Sequence, residues 1–126
     1  CLLSLVPEEE INKTKNQFWG IRDEKQQIFP IKIDSERRTH ILNSVEICLI
    51  DYLPEIYQMG IDSIVVDVRN KSYDYAKKMT SIYSKGLGYI EMEGITERNV
   101  NRLKSKIKLI STGGITTGKF LKGIKK

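Results

Sequence analysis

Apolar residues recur at two different spacings along the chain, and the change of spacing separates predicted strands from predicted helices. β-prone residues fill positions 18–22 and 28–33, and the polar run 23–26 between them predicts a hairpin. Pro30 favours an edge position for the second strand because proline has no N–H to donate. Positions 39–42 are typical of a further short extended run.

The middle of the chain changes to helical spacing. A helix is predicted to begin near Asn43. Its apolar stripe consists of Leu49, Ile50, Leu53, Ile56 and Tyr57. Pro54 breaks this helix or begins a second, shorter one, and Gly60 is suited to end it. Positions 61–68 predict a strand, and its continuously apolar centre, 64–66, predicts burial on both faces.

Two more helices are predicted after this strand. Ser72 can cap the first, and either Gly86 or Gly88 is placed to end it. Its apolar stripe consists of Tyr75, Met79, Ile82 and Tyr83. Thr96 can cap the second. Its apolar stripe consists of Val100, Leu103 and Ile107.

The order helix, strand, helix with short connections is typical of an α/β fold. We expect a partial (β/α) barrel, TIM-like, with a β-hairpin insertion. A closed eight-stranded barrel takes about 250 residues, so a chain of 126 residues predicts a fragment. We interpret 18–126 as the incomplete carboxyl-terminal portion of such a domain, and 1–17 as a polar connector.

Cysteine content and hydropathy bear on where the protein works. Cys1 leads at once into apolar residues, not into the polar tether of a lipid-modified cysteine, so no lipid anchor is predicted. No apolar run approaches the ~20 residues of a membrane span. Two cysteines cannot build a disulfide framework, and we expect a cytoplasmic protein with no membrane partner.

The net charge of +5 is unevenly distributed. Positions 98–126 carry nine Lys or Arg and no Asp or Glu, whereas 1–97 carry 12 basic against 16 acidic residues. A basic segment on an acidic body suggests contact with phosphates, usually those of RNA or DNA. The alternative is a solvated terminus of a lysine-rich protein.

The centre of the chain carries three specific motifs: RTHILNS at 38–44, CLIDYLPEI at 48–56 and GIDS at 60–63. Together they resemble the peptidase U32 family, which shows runs of the type R-T-x-x-L-N-S-x-x-L-C-L-I-D-x-x-P-E-L and A-G-I-D-S. Positions 19–33 are similar to the family's hairpin, L-x-D-x-x-G-x-x-F-P-V. Positions 112–120 are similar to its later T-x-G-x-F segment.

The resemblance implies a (β/α)-barrel core and, for the intact protein, a peptidase of the collagenase-like kind. On that hypothesis this chain needs the missing amino-terminal part of the same protein as its partner and is inactive alone. One alternative is hydroxylation of transfer or ribosomal RNA bases, with RNA as partner. Another is a non-catalytic remnant or interaction module.

The resemblance also bears on cofactors. Several members hold a four-cysteine iron–sulfur cluster, and one of its cysteines directly precedes the R-T pair, where this chain has Arg37. We therefore expect no cofactor in this chain, while a cluster in the full-length protein stays open. Cys48 is interpreted as a buried helix residue because a free cysteine packs like a small hydrophobe.

Four residues form two candidate pairs. Asp67 and Arg69 follow the clearest predicted strand, where a (β/α) barrel places catalytic groups. They can orient an acid/base group or bind an anion, or they form a structural ion pair. Arg38 and His40 lie one residue apart on the same side of an extended run. His40 is a candidate acid/base residue or a satisfied polar partner, and Arg38 is a candidate for binding phosphate or carboxylate.

Lys119 closes a run of the form G-x-x-x-x-G-K that begins at Gly113. A phosphate-binding loop needs Ser or Thr next, and Phe120 stands there, so nucleotide hydrolysis is excluded and the glycines are expected to shape a turn. Lys119 stays a candidate phosphate-binding residue. No metal site is predicted, since His40 is the sole histidine. No G-x-S-x-G motif is present, so peptidase chemistry rests on the resemblance alone.

Overall fold

The computed structural model describes residues 19–69, 71–92 and 94–121, which divide into two units between Ser44 and Val45. Their elements are mixed α/β, with two small sheets and three α-helices but no closed barrel among the described residues. The α/β class predicted from the sequence is confirmed at this level. The predicted connector 1–17 lies outside the described residues.

The first unit is an antiparallel meander. Its strands are β1 (Trp19–Arg22), β2 (Ile28–Ile33) and β3 (Thr39–Ile41), with β2 in the centre. Gly20 lies opposite Pro30 across the first strand pair, and Lys32 lies opposite His40 across the second. The predicted hairpin and the short extended run after it are thus confirmed.

Pro30 lies on the central strand, so the prediction of an edge position was wrong. Its carbonyl oxygen accepts a hydrogen bond from the N–H of Leu42 at 2.8 Å. The N–H and C=O of one residue point the same way in an antiparallel ladder, so the missing donor of Pro30 faces Leu42, one residue beyond the end of β3. Proline is tolerated there because only a bond at the end of the ladder is lost.

An aspartate closes the turn between β1 and β2. Asp23 Oδ1 accepts hydrogen bonds from the N–H groups of Lys25 and Gln27 at 2.9 and 2.8 Å. Gln26 adopts the left-handed conformation, with φ of 63°, which most residues avoid. The aspartate bonds therefore support a turn that lacks the usual glycine.

The second unit combines two short strands with four helical segments. These are β4 (Glu46–Ile47), a 3-10 helix (Ile50–Tyr52), α1 (Leu53–Gln58), α2 (Tyr73–Met92), α3 (Glu97–Ile110) and β5 (Ile115–Thr116). The strands β4 and β5 are parallel, with Glu46 opposite Ile115. None of the helices in the described residues has both the length and the apolar character needed to cross a membrane.

The core of the second unit lies between its helices. Its buried members are Cys48, Ile50, Leu53, Met79, Ile82, Leu103 and Ile107. Gly86 lies among them, and a Cβ added there would stand 2.7 Å from Cδ2 of Leu53. Glycine is needed here for close packing and not as a helix stop. The prediction that Gly86 or Gly88 ends the helix was wrong, since α2 continues through both to Met92.

Side-chain caps begin α2 and α3 where the sequence predicted them. Ser72 Oγ accepts the N–H of Tyr75, and Thr96 Oγ1 accepts the N–H of Asn99, both at 3.2 Å. Each bond satisfies an amide that the first helical turn leaves without a partner.

The helix predicted from Asn43 does not form there. β4 occupies part of that stretch, and the α-helix begins only at Leu53, with Pro54 in its first turn. Proline suits that position because the first turn does not use its N–H. Gly60, with φ of 70°, follows the end of α1 as predicted.

The predicted strand 61–68 is also not found. Among the described residues, no backbone-to-backbone hydrogen bond involves positions 61–67. The side chains still alternate: Ile64 and Val66 pack against the core, whereas Val65 is 91% exposed. The segment therefore has the alternation of a strand but no ladder, and the expected burial on both faces was wrong.

Candidate functional site

The Asp34 carboxylate is the centre of a polar cluster in the first unit. Its Oδ2 atom lies 2.8 Å from Nε of Arg38 and 2.9 Å from Nε2 of His40. Its Oδ1 atom accepts the backbone N–H groups of Glu36 and Arg38 at 3.0 and 2.9 Å. These hydrogen bonds, that of His40 first and those of Arg38 next, hold the pKa of Asp34 well below its usual range.

The turn between β2 and β3 explains why these groups meet. Asp34 directly follows β2, and its backbone N–H donates to the carbonyl oxygen of Arg38 at 3.0 Å. Arg37 adopts a left-handed φ of 62°, so the chain reverses within a few residues. Arg38 and His40 then project to the same side, as predicted, and both reach Asp34.

Asp34 itself was not among the residues singled out from the sequence. An available signal was the repetition of one pattern, since Asp23 and Asp34 each directly follow a β-prone run and stand five positions before the next one begins. Aspartates bond readily to backbone N–H groups two residues on, which makes them frequent turn residues. That pattern locates the turn, but not the histidine that the turn brings back to it.

The Asp34–His40 pair can perform proton transfer. A carboxylate bonded to Nε2 favours the tautomer that carries its proton there, which leaves Nδ1 as the basic atom. The His40 side chain is 41% exposed, so a ligand can reach it. Arg38 also pairs with Glu36 at 2.9 Å and presents a mostly exposed guanidinium beside the histidine. Within the described residues, no serine or cysteine is hydrogen-bonded to His40.

Asp67 and Arg69, the second predicted pair, bind each other. Nε of Arg69 lies 3.0 and 3.1 Å from the two carboxylate oxygens of Asp67, and Nη2 lies 2.7 Å from Oδ2. The contact lowers the pKa of Asp67 and raises the pKa of Arg69. Both side chains are more than half exposed. The pair lies at the end of the unpaired segment 61–68, so this geometry favours the local ion pair over a site at a strand end.

Lys119 lies in an exposed turn after β5. Three glycines in this region have positive φ: Gly113 at 85°, Gly114 at 95° and Gly118 at 59°. They shape turns, as predicted. The residues that directly follow Lys119 form a turn and not the helix that a phosphate-binding loop requires. Lys119 forms no ion pair with a described residue, and its role in phosphate binding stays a prediction.

A third polar cluster, which the sequence did not reveal, surrounds β4. Glu46 is ion-paired with Lys71, whose Nζ lies 5.1 Å from the ring centroid of Tyr75. Burial, with the nearby carboxylate of Glu46 as a further cause, raises the pKa of Tyr75 to about 12. The Glu46 side chain is 17% exposed and that of Lys71 is 30% exposed. Since the two charges neutralise each other, this cluster is suited to holding α2 against β4.

Cys48 is part of the core and does not belong to a reactive centre. It is 2% exposed, and burial raises the pKa of its thiol. The neighbouring Tyr83 hydroxyl accepts the N–H of Leu49 at 3.2 Å, and burial raises the pKa of Tyr83 to about 12. The predicted burial of Cys48 is confirmed, although the residue follows β4 instead of lying in a helix.

The described residues do not fit an iron–sulfur cluster. Arg37 stands where a cluster ligand would precede the R-T pair, and it occupies the left-handed position of a tight turn. Cys48 is the one cysteine of the described residues, and a buried thiol with a raised pKa is a poor source of the required thiolate. In that part of the chain, no three His, Cys, Asp or Glu side chains are grouped to hold a metal ion.

The basic segment of the sequence includes α3. Five basic residues lie on this helix: Arg98, Arg102, Lys104, Lys106 and Lys108. Nζ of Lys104 lies 2.5 Å from Oδ2 of Asp51, and this contact raises the pKa of Lys104. None of the other four is ion-paired with a described residue. The helix therefore presents uncompensated positive charge.

Comparison with known proteins identifies the family. The chain belongs to peptidase family U32, whose model matches residues 5–126. The tRNA hydroxylation protein P2 of Bacillus subtilis (strain 168) is 35% identical over 66 residues, which are 52% of this chain and 20% of that protein. The match thus spans about a fifth of the length of this relative. No solved structure matches the chain.

Proposed function

We propose that this chain is a substrate-binding part of a larger U32-family protein that hydroxylates transfer RNA. The observation that carries the proposal is the similarity to tRNA hydroxylation protein P2. The uncompensated positive charge of α3 supports it, because phosphate neutralisation supplies much of the affinity of proteins for nucleic acids. A transfer RNA substrate agrees with the cytoplasmic location expected from the sequence.

In the intact protein, the second unit would supply part of a (β/α) barrel. Two features support this. The strands β4 and β5 are parallel, as barrel strands are. The segment 61–68 alternates like a strand and lacks a ladder, so neighbouring strands from the rest of the protein would complete it.

The Asp34–His40 pair and Arg38 are our candidates for acid/base and phosphate-binding roles near the substrate. His40 has an exposed edge and a carboxylate that orients its ring, which are the features of a general acid/base residue. Asp67 and Arg69 are weaker candidates, because their charges and hydrogen-bonding groups are already paired with each other.

Peptidase activity is the second candidate, and it is favoured by the family and by the same Asp34–His40 pair. A peptidase of the serine or cysteine kind needs a nucleophile beside the histidine. Cys48 is enclosed in the core with a raised thiol pKa, so it cannot serve that purpose. Among the described residues, Cys48 thus gives no support to peptidase chemistry, whereas the positive charge of α3 supports RNA modification.

Nucleoside analysis distinguishes the two candidates. Transfer RNA is isolated from cells that carry the gene, lack it or have it restored, and is digested and examined by mass spectrometry. We expect a hydroxylated nucleoside to disappear on deletion and to return on restoration. An unchanged nucleoside profile, together with cleavage of gelatin by the purified intact protein, would replace the proposal with peptidase activity.

A further inference from the structure

A groove of about 310 Å³ lies between α2 and α3. Apart from Gly88 and Leu103, its lining comes from both helices and consists of Lys85, Tyr89, Met92, Asn99, Arg102 and Lys106. The lining holds three cationic side chains and no carboxylate. This composition is unusual beside the rest of the second unit, where several lysines are paired with acids.

Helical spacing places these residues on facing stripes. Positions 85, 89 and 92 repeat at intervals of four and three on α2, and positions 99, 102 and 106 repeat at three and four on α3. Residues at these intervals share one face of a helix. The buried Leu103 forms the apolar floor between the stripes. The groove therefore follows from the same packing that builds the core.

The three cations of the groove lack acidic partners. Lys85, Arg102 and Lys106 form no ion pair with any described residue. By contrast, Lys78 is paired with Asp74 at 2.6 Å, only two helical turns from Lys85. Since no described residue forms an ion pair with these three cations, an anionic ligand does not have to displace an acidic partner to reach them.

Tyr89 adds an aromatic surface to this positive groove. Its side chain is 37% exposed and lies between the basic positions. The adjacent Gly88 also lines the groove, and a Cβ added there would meet no atom within 4 Å. Exposed aromatic rings among cations are how proteins hold single-stranded nucleic acids, because bases stack on the ring and phosphates meet the cations.

We propose that the α2–α3 groove binds a single-stranded segment of RNA, with phosphates on Lys85, Arg102 and Lys106 and one base stacked on Tyr89. The inference rests on the proposed function and adds the place where the substrate is held. A duplex keeps its bases stacked on each other, so unpaired nucleotides, such as those of a transfer RNA loop, are the ligand that can use Tyr89.

The test measures the affinity of the protein for a fluorescently labelled single-stranded oligoribonucleotide. Binding is monitored by fluorescence anisotropy over a range of salt concentrations. Replacing Lys85, Arg102 and Lys106 with Gln together should weaken binding at least tenfold. The fall of the log association constant with log salt should also become less steep, by about 2 in slope. Each phosphate contact on a single strand contributes about 0.7 to that slope.

A matched control removes the same charge elsewhere. Lys25, Lys32 and Lys77 are exposed, lie outside both the groove and α3, and have no ion pair with a described residue. Replacing these three with Gln should change affinity less than threefold. Equal losses in the two triple variants would overturn the groove as the site, and the nucleoside analysis would then decide the proposed function by itself.

Variants at Tyr89 test the stacking and preserve the charge. Tyr89→Leu should weaken binding roughly tenfold, whereas Tyr89→Phe, which keeps the ring, should bind like the natural protein. Equal affinity of the Leu and Phe variants would overturn the stacked base. Absence of RNA binding by the natural protein at low salt would overturn the whole inference, even if the nucleoside profile changes on deletion.

Discussion

Nε2 of His40 lies 2.9 Å from Oδ2 of Asp34. Asp34 begins the turn after β2, and His40 lies on β3, the strand that follows this turn, so the hydrogen bond connects the two. Arg38 donates to the same oxygen at 2.8 Å. The turn is therefore held by the same side chains that we propose as the acid/base group of the first unit. One carboxylate, that of Asp34, connects them.

Stability should fall at acidic pH because of Asp34. Its pKa is lowered in the folded protein, so the stability it contributes is present above the unfolded value of about 4 and is lost as pH falls through the folded value. Asp34→Asn should melt at a lower temperature than the natural protein at pH 6. The difference should shrink progressively below pH 4.

Circular dichroism melts between pH 2.5 and 6 measure this effect. Asp62→Asn is the control, since Asp62 is exposed and forms no hydrogen bond with a described residue. That variant should follow the natural protein at every pH. A difference between Asp34→Asn and the natural protein that stays constant with pH would contradict the assigned role of the carboxylate.

Substitution by alanine should change the stability of the protein in opposite directions at two glycines of α2 that lie two residues apart. Gly86→Ala places a methyl group 2.7 Å from the buried Leu53 and should destabilise the protein by about 1 kcal/mol or more. Gly88→Ala meets no atom within 4 Å and should stabilise it by about 0.5–1 kcal/mol, the usual gain in a helix interior. Urea unfolding of both variants provides the comparison. Changes of the same sign would show that the close approach to Leu53 is wrong.

Local signals accounted for the elements that the sequence predicted correctly. The caps at Ser72 and Thr96 and the hairpin of β1 and β2 depend on neighbours within a few residues, so their patterns are visible in the chain. The family motifs were equally local, and the family is confirmed.

What the sequence did not reveal depends on distant contacts. The sequence predicted Gly86 as a possible helix stop, whereas its actual role is close packing against Leu53. Leu53 lies 33 positions earlier, so no local pattern indicates this contact. The segment 61–68 has the composition of a strand, but a ladder needs partners, and the described residues supply none. The groove joins two stripes on separate helices, so only their packing brings Tyr89 to Arg102 and Lys106.

The turn at Gln26 should be improved by glycine. Gln26 has φ of 63°, a conformation that costs an ordinary residue about 1 kcal/mol or more and costs glycine almost nothing. The family's hairpin pattern has glycine at this position. Gln26→Gly should raise the free energy of unfolding by about 0.5–1 kcal/mol, although it removes an exposed hydrogen bond of 3.2 Å from Arg22.

Thermal unfolding monitored on the first unit checks this expectation. Gln27→Gly is the matched control, because Gln27 has no positive φ and glycine there only adds freedom to the unfolded chain. That variant should be destabilised by about 0.5–1 kcal/mol. Equal effects of the two substitutions would mean that the backbone of the turn differs from the one described.

Cys48 should be unreactive until the protein unfolds. Its side chain is 2% exposed and burial raises its pKa, so both the access of a reagent and the fraction of thiolate are small. In a Cys1→Ser background, modification by a thiol-specific disulfide reagent at pH 8 should be at least about 100-fold slower in the folded protein than in urea. Cys48→Ala should cost about 1 kcal/mol through lost packing, and Cys48→Ser more, because its hydroxyl would need a partner in the core. Rapid modification of the folded protein would instead show an accessible thiolate, and Cys48 would then return as a candidate nucleophile or metal ligand.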